Sequence, residues 1–115
     1  MQALMLQEYV VFHIPASLHR DSESVEGRMR ITNERILFDT LMEGSHPMRT
    51  AVAIEIRISE LSGIYRRNTY LIWPSGILLT LRRGDNYKFA VWQRDRLIGY
   101  VHRRMRSLQR EATCR

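Results

Sequence analysis

Short stretches in which apolar and polar residues alternate make up most of this chain, and each is bounded by turn-forming residues. Alternation with a period of two sends one set of side chains to the buried face of a β-strand and the other set to solvent. Clear examples are residues 27–32, 51–58, 77–82 and 87–91. We therefore predict a sheet of about six or seven short strands.

The boundaries of these stretches predict where the chain turns. The first strand is predicted at residues 4–14, ending at Pro15, and a polar loop is predicted at residues 17–26. Asn33 and Glu34 are predicted to form a two-residue hairpin turn, since asparagine tolerates a positive φ. Further turns are predicted at residues 43–50, 74–76 and 83–86.

The pattern changes to a helical period near the C-terminus. Spacings of four, four and three residues between apolar positions predict an amphipathic helix over residues 95–110, with Asp95 as its N-cap. Gly99 in its interior costs up to about 1 kcal/mol relative to alanine, which close packing of the backbone would explain. The apolar positions are Leu97, Val101, Met105 and Leu108. Strands followed by one such helix predict a curved sheet or open barrel that the helix caps.

The charge of the chain is unevenly distributed. The length of 115 residues suits one domain, 1–115, with one core. Residues 1–60 carry 6 basic and 9 acidic groups and residues 61–115 carry 12 and 3, so their net charges are −3 and +9. Of the 18 basic residues only Lys88 is a lysine. Part of the surface should attract anions, although the composition of a GC-rich genome would also explain the arginine surplus.

Several classes of protein are excluded by what the sequence contains. Cys114 is the single cysteine, so an internal disulfide is impossible and a cytoplasmic location is expected. The longest apolar runs have about four residues, far fewer than the roughly 20 of a membrane-spanning helix. The histidines are scattered and the glycines isolated, which predicts no metal, no cofactor and no catalytic residue.

One hairpin resembles a known family. Residues 27–38 read Gly-Arg-Met-Arg-Ile-Thr-Asn-Glu-Arg-Ile-Leu-Phe, which is similar to the Gly-x-Leu-x-Ile-Thr-Asn-x-Arg-Leu-x-Phe hairpin of GRAM domains and bacterial pleckstrin-homology-like (PH-like) domains. Residues 56–61 and 75–89 resemble later strands of these domains, so the similarity extends over about residues 8–108. It implies a PH-like split barrel of about seven antiparallel strands in two orthogonal sheets, capped by one C-terminal amphipathic α-helix.

The resemblance does not carry a lipid site with it. PH domains that bind phosphoinositides place basic residues on the first hairpin and its loop. The corresponding loop here is acidic, with Asp21, Glu23 and Glu26. Only Arg28 and Arg30, on the following strand, match the basic positions.

A candidate anion site lies in the basic half of the chain. Guanidinium groups bind phosphate bidentately, which suits a phospholipid head group. Residues near 82 and 88 are expected to be cross-strand neighbours, because the chain turns at Gly84 and Asp85. The candidate residues are Arg66, Arg67, Arg82, Arg83 and Lys88. A solvated barrel rim explains the same residues, and a solvated outer face or the helix dipole explains the arginines of the C-terminal helix.

A candidate partner surface is more apolar. Alternate residues before and after the predicted turn at 74–76 should face outward, where they would form an interaction patch. This patch comprises Tyr70, Ile72, Trp73, Leu78 and Trp92. The alternative is that the second sheet and the helix cover both faces of this segment. We expect a non-enzymatic binding or adaptor module that contacts a protein partner or itself. The alternative is peripheral binding of anionic phospholipid through the arginine-rich rim; nucleic acid is not predicted, since no recognition motif is present.

Overall fold

The computed structural model describes residues 7–20, 23–40, 53–69 and 73–113, in which seven antiparallel strands precede one helix. The strands are β1 (Val10–Arg20), β2 (Glu23–Thr32), β3 (Arg35–Thr40), β4 (Ala53–Arg57), β5 (Leu61–Thr69), β6 (Trp73–Leu81) and β7 (Asn86–Val91), with a 3-10 turn at Ile58–Glu60 and the helix α1 at Arg94–Thr113. They form one curled sheet in the order β4-β3-β2-β1-β7-β6-β5. The predicted mainly-β fold with a C-terminal helix is confirmed.

The core lies inside the curl of the sheet. Met29 and Ile31 of β2 are fully buried, whereas Arg28 before them is exposed and Arg30 between them is partly exposed, as the alternation predicts. Phe38 and Phe89 come from opposite parts of the chain and meet at the centre, with ring centroids 5.2 Å apart. Such tilted aromatic pairs add stability beyond the apolar area that they bury. The core therefore joins the early and late strands directly.

The first hairpin is longer than predicted. β1 continues through Pro15 to Arg20, and β2 begins at Glu23, so most of the predicted loop at 17–26 is strand. Polar residues remain in the strands because β1 pairs with β2 along its whole length. The ladder to β7 begins only at Ala16, so the missing N–H of Pro15 removes no bond to β7.

The predicted turn at residues 74–76 is also wrong, because these residues lie within β6. The chain reverses between Thr69 and Trp73 instead. A register shift after Arg67 marks an irregularity there, and Pro74, one residue into β6, is tolerated beside it. Residues 4–6 of the first predicted strand and the predicted loop at 43–50 lie outside the described residues.

Helix α1 closes the open end of the curled sheet. Leu97, Ile98 and Val101 are buried, and the helix packs mainly on β5 and on the 3-10 turn. The Nε2 atom of His102 lies 3.2 Å from the carbonyl oxygen of Ile64, so the helix covers part of the free edge of β5. This contact occupies one backbone carbonyl of an edge strand, where another strand could otherwise pair.

The start of α1 differs from the prediction. The helix begins at Arg94, so Asp95 lies in the first turn rather than at the N-cap. The carbonyl of Gln93 accepts a hydrogen bond from the N–H of Leu97 at 3.1 Å. Gln93 has a φ of 57°, a left-handed conformation that lets the chain turn from β7 into the helix.

The predicted hairpin turn at Asn33 and Glu34 is confirmed, although Asn33 does not adopt the positive φ on which the prediction relied. Other parts of the chain hold the turn. The backbone N–H of Tyr9 donates to Asn33 Oδ1 at 2.9 Å, and Arg104 of α1 donates to the Asn33 carbonyl at 2.8 Å. Arg35 beside the turn binds Glu8 and Glu55 at 2.8 and 3.0 Å. The turn is thus fixed by the N-terminal segment and the helix together.

Two glycines should respond oppositely to alanine. At Gly27 a Cβ would overlap the Asp39 carbonyl oxygen, so Gly27→Ala should lower the free energy of unfolding by about 1–3 kcal/mol. At Gly99 a Cβ would meet only Arg103, at 3.6 Å, so this glycine does not pack closely, contrary to the expectation above. Gly99→Ala should therefore raise stability by about 0.5–1 kcal/mol, measured by denaturant unfolding. Equal effects of the two substitutions would contradict this account.

The ion pair of Glu8 predicts an acid-sensitive contribution to stability. Hydrogen bonds from the Arg35 guanidinium and the Thr32 hydroxyl hold the pKa of Glu8 below its ordinary value of 4.5. The contribution is present at neutral pH and is lost as pH falls through this lowered pKa. Glu8→Gln should lower stability at pH 7 and reduce its fall towards pH 3, measured by thermal unfolding. Glu23→Gln, at an exposed site on β2, is the control; a similar change in its pH profile would argue against this origin.

Candidate binding surfaces

A β-bulge in β5 decides which side chains face outward at this edge of the sheet. Leu61 opposes Leu81 and Ile64 opposes Leu79, so β5 advances by three residues over a distance that β6 covers with two. The extra residue reverses the alternation beyond it. Ile64 is therefore buried, and Tyr65 is 52% exposed.

The ring of Tyr65 is held in place by a neighbouring glycine. Tyr65 lies over Gly63, where a Cβ would overlap the ring. One side of the ring is thus against the backbone, an arrangement that protects a strand glycine from solvent. Sequence analysis missed Tyr65 because uninterrupted alternation from Leu61 would bury it. The available signal was Gly63, since a glycine inside a strand often marks a bulge.

Tyr65 belongs to a surface that we call the outer face, formed by two rows of residues that oppose one another across five strands. The first row is Tyr65, Leu78, Lys88, His19 and Ser24, and the second row is Arg67, Gly76, Ala90, Ser17 and Glu26. The cations Arg67 and Lys88 lie on β5 and β7, whereas Glu26 lies on β2. The second row therefore begins with a cation on β5 and ends with an anion on β2, while Lys88 lies on the central strand.

The structure brings the predicted partner residues together only in part. Leu78 is half-buried in the outer face, and Trp92 is 64% exposed directly after β7. Val91 is the last residue of β7, and Trp92 follows it in the turn that leads into α1. Trp73 begins β6. Tyr70 and Ile72 lie outside the described residues.

The predicted anion-binding residues fall into separate groups. Arg82 and Arg83 lie in the β6–β7 turn, whereas Arg66 and Arg67 lie about five residues, or roughly 17 Å, further along β5. Lys88 opposes Leu78 rather than Arg82, contrary to expectation. The reason is that Asn86 pairs with Thr80, so residues 82–85 lie in the turn and Arg82 has no cross-strand partner in the ladder between β6 and β7.

Three of these five cations have partners within the protein. Arg83 binds Asp85 at 2.6 Å, and this carboxylate raises the pKa of the guanidinium. Arg66 binds Asp95 of α1 at 2.9 Å, and Arg82 donates to the Ser59 carbonyl at 3.2 Å. For Arg67 and Lys88 the structure gives no side-chain hydrogen bond or ion pair with another described residue. The five residues therefore do not form one cluster aimed at a single anion.

Tyr100 is a buried polar group in the described part of the chain. Its hydroxyl has no hydrogen-bond partner among the described residues, and its ring meets Phe12 edge-on at 5.9 Å. Burial raises the pKa of the phenol, so it stays neutral. Tyr100 thus acts in packing against β1.

Over the described ranges, no group of three or more histidine, cysteine, aspartate or glutamate residues could hold a metal ion. No helix in the described part of the chain is long and apolar enough to cross a membrane.

Comparison with solved structures shows several similar folds. The C-terminal domain of an unknown protein from Leishmania infantum is similar with a TM-score of 0.70 at 14% identity, covering 88% of this chain and 87% of that chain. The Vps36 N-terminal PH domain has a TM-score of 0.58 at 14% identity, covering 93% and 83%. The linker-DH/PH domains of p115-RhoGEF have a TM-score of 0.63 at 11% identity, covering 88% of this chain but only 30% of that one.

No protein-family model matches the sequence, and no curated protein matches it either. At identities this low the structural similarity establishes the fold alone. The chain has a PH-like fold, in agreement with the fold that its hairpin motif implied.

Proposed function

We propose that this protein is a non-enzymatic PH-like binding module of the GRAM type that associates with a second copy of itself through the outer face. The observation that carries the proposal is the self-complementary charge of this face. Arg67 and Glu26 stand at the two ends of its second row, with small Ala90 midway between them. A self-complementary patch is what a two-fold symmetric interface requires.

The spacing of the strands fits such an interface. Neighbouring strands are about 4.8 Å apart, so Arg67 and Glu26 are each roughly 10 Å from Ala90. A two-fold axis along β7 places Arg67 of one copy over the partner's Glu26, and Glu26 over the partner's Arg67. Strands of the two sheets then run nearly parallel, the usual arrangement of sheets packed face to face.

Exposed aromatic residues supply the apolar part of this interface. Tyr65 is held against Gly63, so little conformational freedom is lost when its free side is covered. Trp92 follows β7 and lies near the proposed axis, where it would meet the partner's Trp92. Tryptophan and tyrosine are enriched among the residues that carry most of the energy at protein interfaces.

A charge exchange tests the proposal. Sedimentation velocity at tens of micromolar should show a dimer, which Arg67→Glu or Glu26→Arg should each weaken about tenfold by placing like charges together. The combined variant Arg67→Glu/Glu26→Arg should restore dimerisation, since the two charges only change places. Arg57→Glu on β4 is the matched control and should leave it unchanged. A monomer throughout, or a combined variant weaker than both single ones, would refute the proposal.

A substitution of Lys88 distinguishes self-association from the alternative function. That alternative is binding of anionic phospholipid through Arg66, Arg67, Arg82, Arg83 and Lys88. On β7 the lysine lies on the proposed axis beside its counterpart, so Lys88→Ser should strengthen dimerisation by removing repulsion. Lipid binding through the rim would instead be weakened by the same substitution in vesicle cosedimentation. The rim is the less favoured site because Arg66 and Arg83 already bind carboxylates.

A further inference from the structure

The first half of β1 has a strand partner on one side only. β1 pairs with β2 from Val10 to Arg20, but its ladder to β7 starts at Ala16, opposite Val91, the last residue of β7. On the side away from β2, residues 10–15 pair with no strand in the described part of the chain, and we call this side the β1 edge. Alternate residues of a strand point their N–H and C=O groups to the same side, so the β1 edge keeps backbone groups free for another strand.

Apolar side chains are exposed at the start of the β1 edge. Tyr9, Val10 and Val11 are 58%, 53% and 38% exposed. The other large hydrophobic side chains that are exposed in the described ranges, Tyr65 and Trp92, stand singly in the sequence. Valine and tyrosine pack well against the side chains of a neighbouring strand. An added strand would therefore cover apolar surface as well as satisfy backbone groups.

Helix α1 runs beside the β1 edge in the opposite direction. It starts just after the end of β7, meets Phe12 through the ring of Tyr100 at 5.9 Å, and reaches the Asn33 carbonyl with Arg104 at the N-terminal end of β1. The helix backbone packs mainly on β5 and the 3-10 turn, and the structure gives no hydrogen bond between α1 and residues 10–15. The helix therefore borders the β1 edge through side chains and leaves its backbone groups unbonded.

The side of α1 next to the β1 edge has an aromatic residue between two cations. Arg96, Tyr100 and Arg103 are four and three residues apart, so they form one row along the helix, about 10 Å long. Arg96 and Arg103 are exposed, and the structure gives neither an ion pair with another described residue. Arg104, in contrast, is bound by the Asn33 carbonyl and lies near Glu34. The row therefore offers two cations to an external partner.

We propose that the β1 edge binds an extended acidic segment of a partner protein as an additional strand. The backbone of the segment pairs with the edge, which is a common mode of peptide recognition. Side chains on one face of a strand recur about every 6.8 Å. Three successive side chains on the inner face match the row when a carboxylate lies at Arg96, an apolar side chain at Tyr100 and a second carboxylate at Arg103. The segment therefore has the pattern Glu-x-Val-x-Glu.

A second copy of this chain fits the β1 edge less well than an acidic segment. Pairing two such edges would bring the cationic rows of two helices together, where like charges repel. The outer face uses Ser17 and His19, at the other end of β1. The inference therefore goes beyond self-association and leaves the proposed dimer free to form.

A synthetic peptide tests the inference. Fluorescence anisotropy should show that the full chain binds labelled Thr-Glu-Thr-Val-Thr-Glu-Thr, that binding weakens as salt rises, and that replacing both glutamates by lysine abolishes it. N-methylation of one alternate set of peptide nitrogens should abolish binding, whereas methylation of the other set should preserve it, because only one set faces β1. Amide hydrogen exchange at residues 11–14 should slow in the complex. Absence of saturable binding, or equal effects of the two methylated sets, would refute strand addition.

Substitutions of exposed arginines test the role of the helix. Arg103→Glu should raise the Kd of the peptide about tenfold, by placing like charges together. Arg20→Glu is the matched control, because it makes the same charge change at an exposed site at the far end of β1, and it should leave the Kd unchanged. An equal loss in both variants would mean that net charge alone governs binding and would overturn the proposal. Arg103→Glu should still dimerise and Arg67→Glu should still bind the peptide, so failure of one proposal is distinguishable from failure of the other.

Discussion

Burial of one side of α1 against β5 and the 3-10 turn is the interaction on which the rest of the structure depends. A curled sheet exposes apolar residues at its open end, and Leu97 and Val101 fill that end. The same packing brings Arg66 to Asp95 and His102 to the edge of β5. It also determines which side of the helix remains in solvent, because the opposite side is needed to close the core.

The bulge in β5 has a comparable influence on the sheet. One extra residue between Leu61 and Ile64 keeps both side chains in the core and turns Tyr65 outward. Without it, Tyr65 would compete for space with the helix, and the outer face would lose its aromatic ring. The bulge therefore determines that Tyr65 belongs to the outer face rather than to the core.

Local patterns were sufficient to predict the strands, the turn at Asn33 and the C-terminal helix, because each depends on residues close in sequence. They failed where pairing over long distances decides the structure. β1 extends to Arg20 because β2 and β7 supply its hydrogen bonds, although its sequence there is polar. Tyr65 was missed because a bulge changes the phase of alternation. The residues of the predicted anion site lie apart because the register between β6 and β7 places Lys88 opposite Leu78. Sequence alone does not determine that register.

The hydrogen bond from Arg104 of α1 to the β2–β3 turn has a consequence for the order of folding. Arg104 and Asn33, which it joins, are 71 residues apart in sequence. Contacts of such separation pay a large loop-closure entropy and form late. During synthesis the early strands emerge before α1, so their apolar inner surface stays open until the helix has been made. Until α1 closes the core, this exposed apolar surface makes the incomplete domain prone to aggregation.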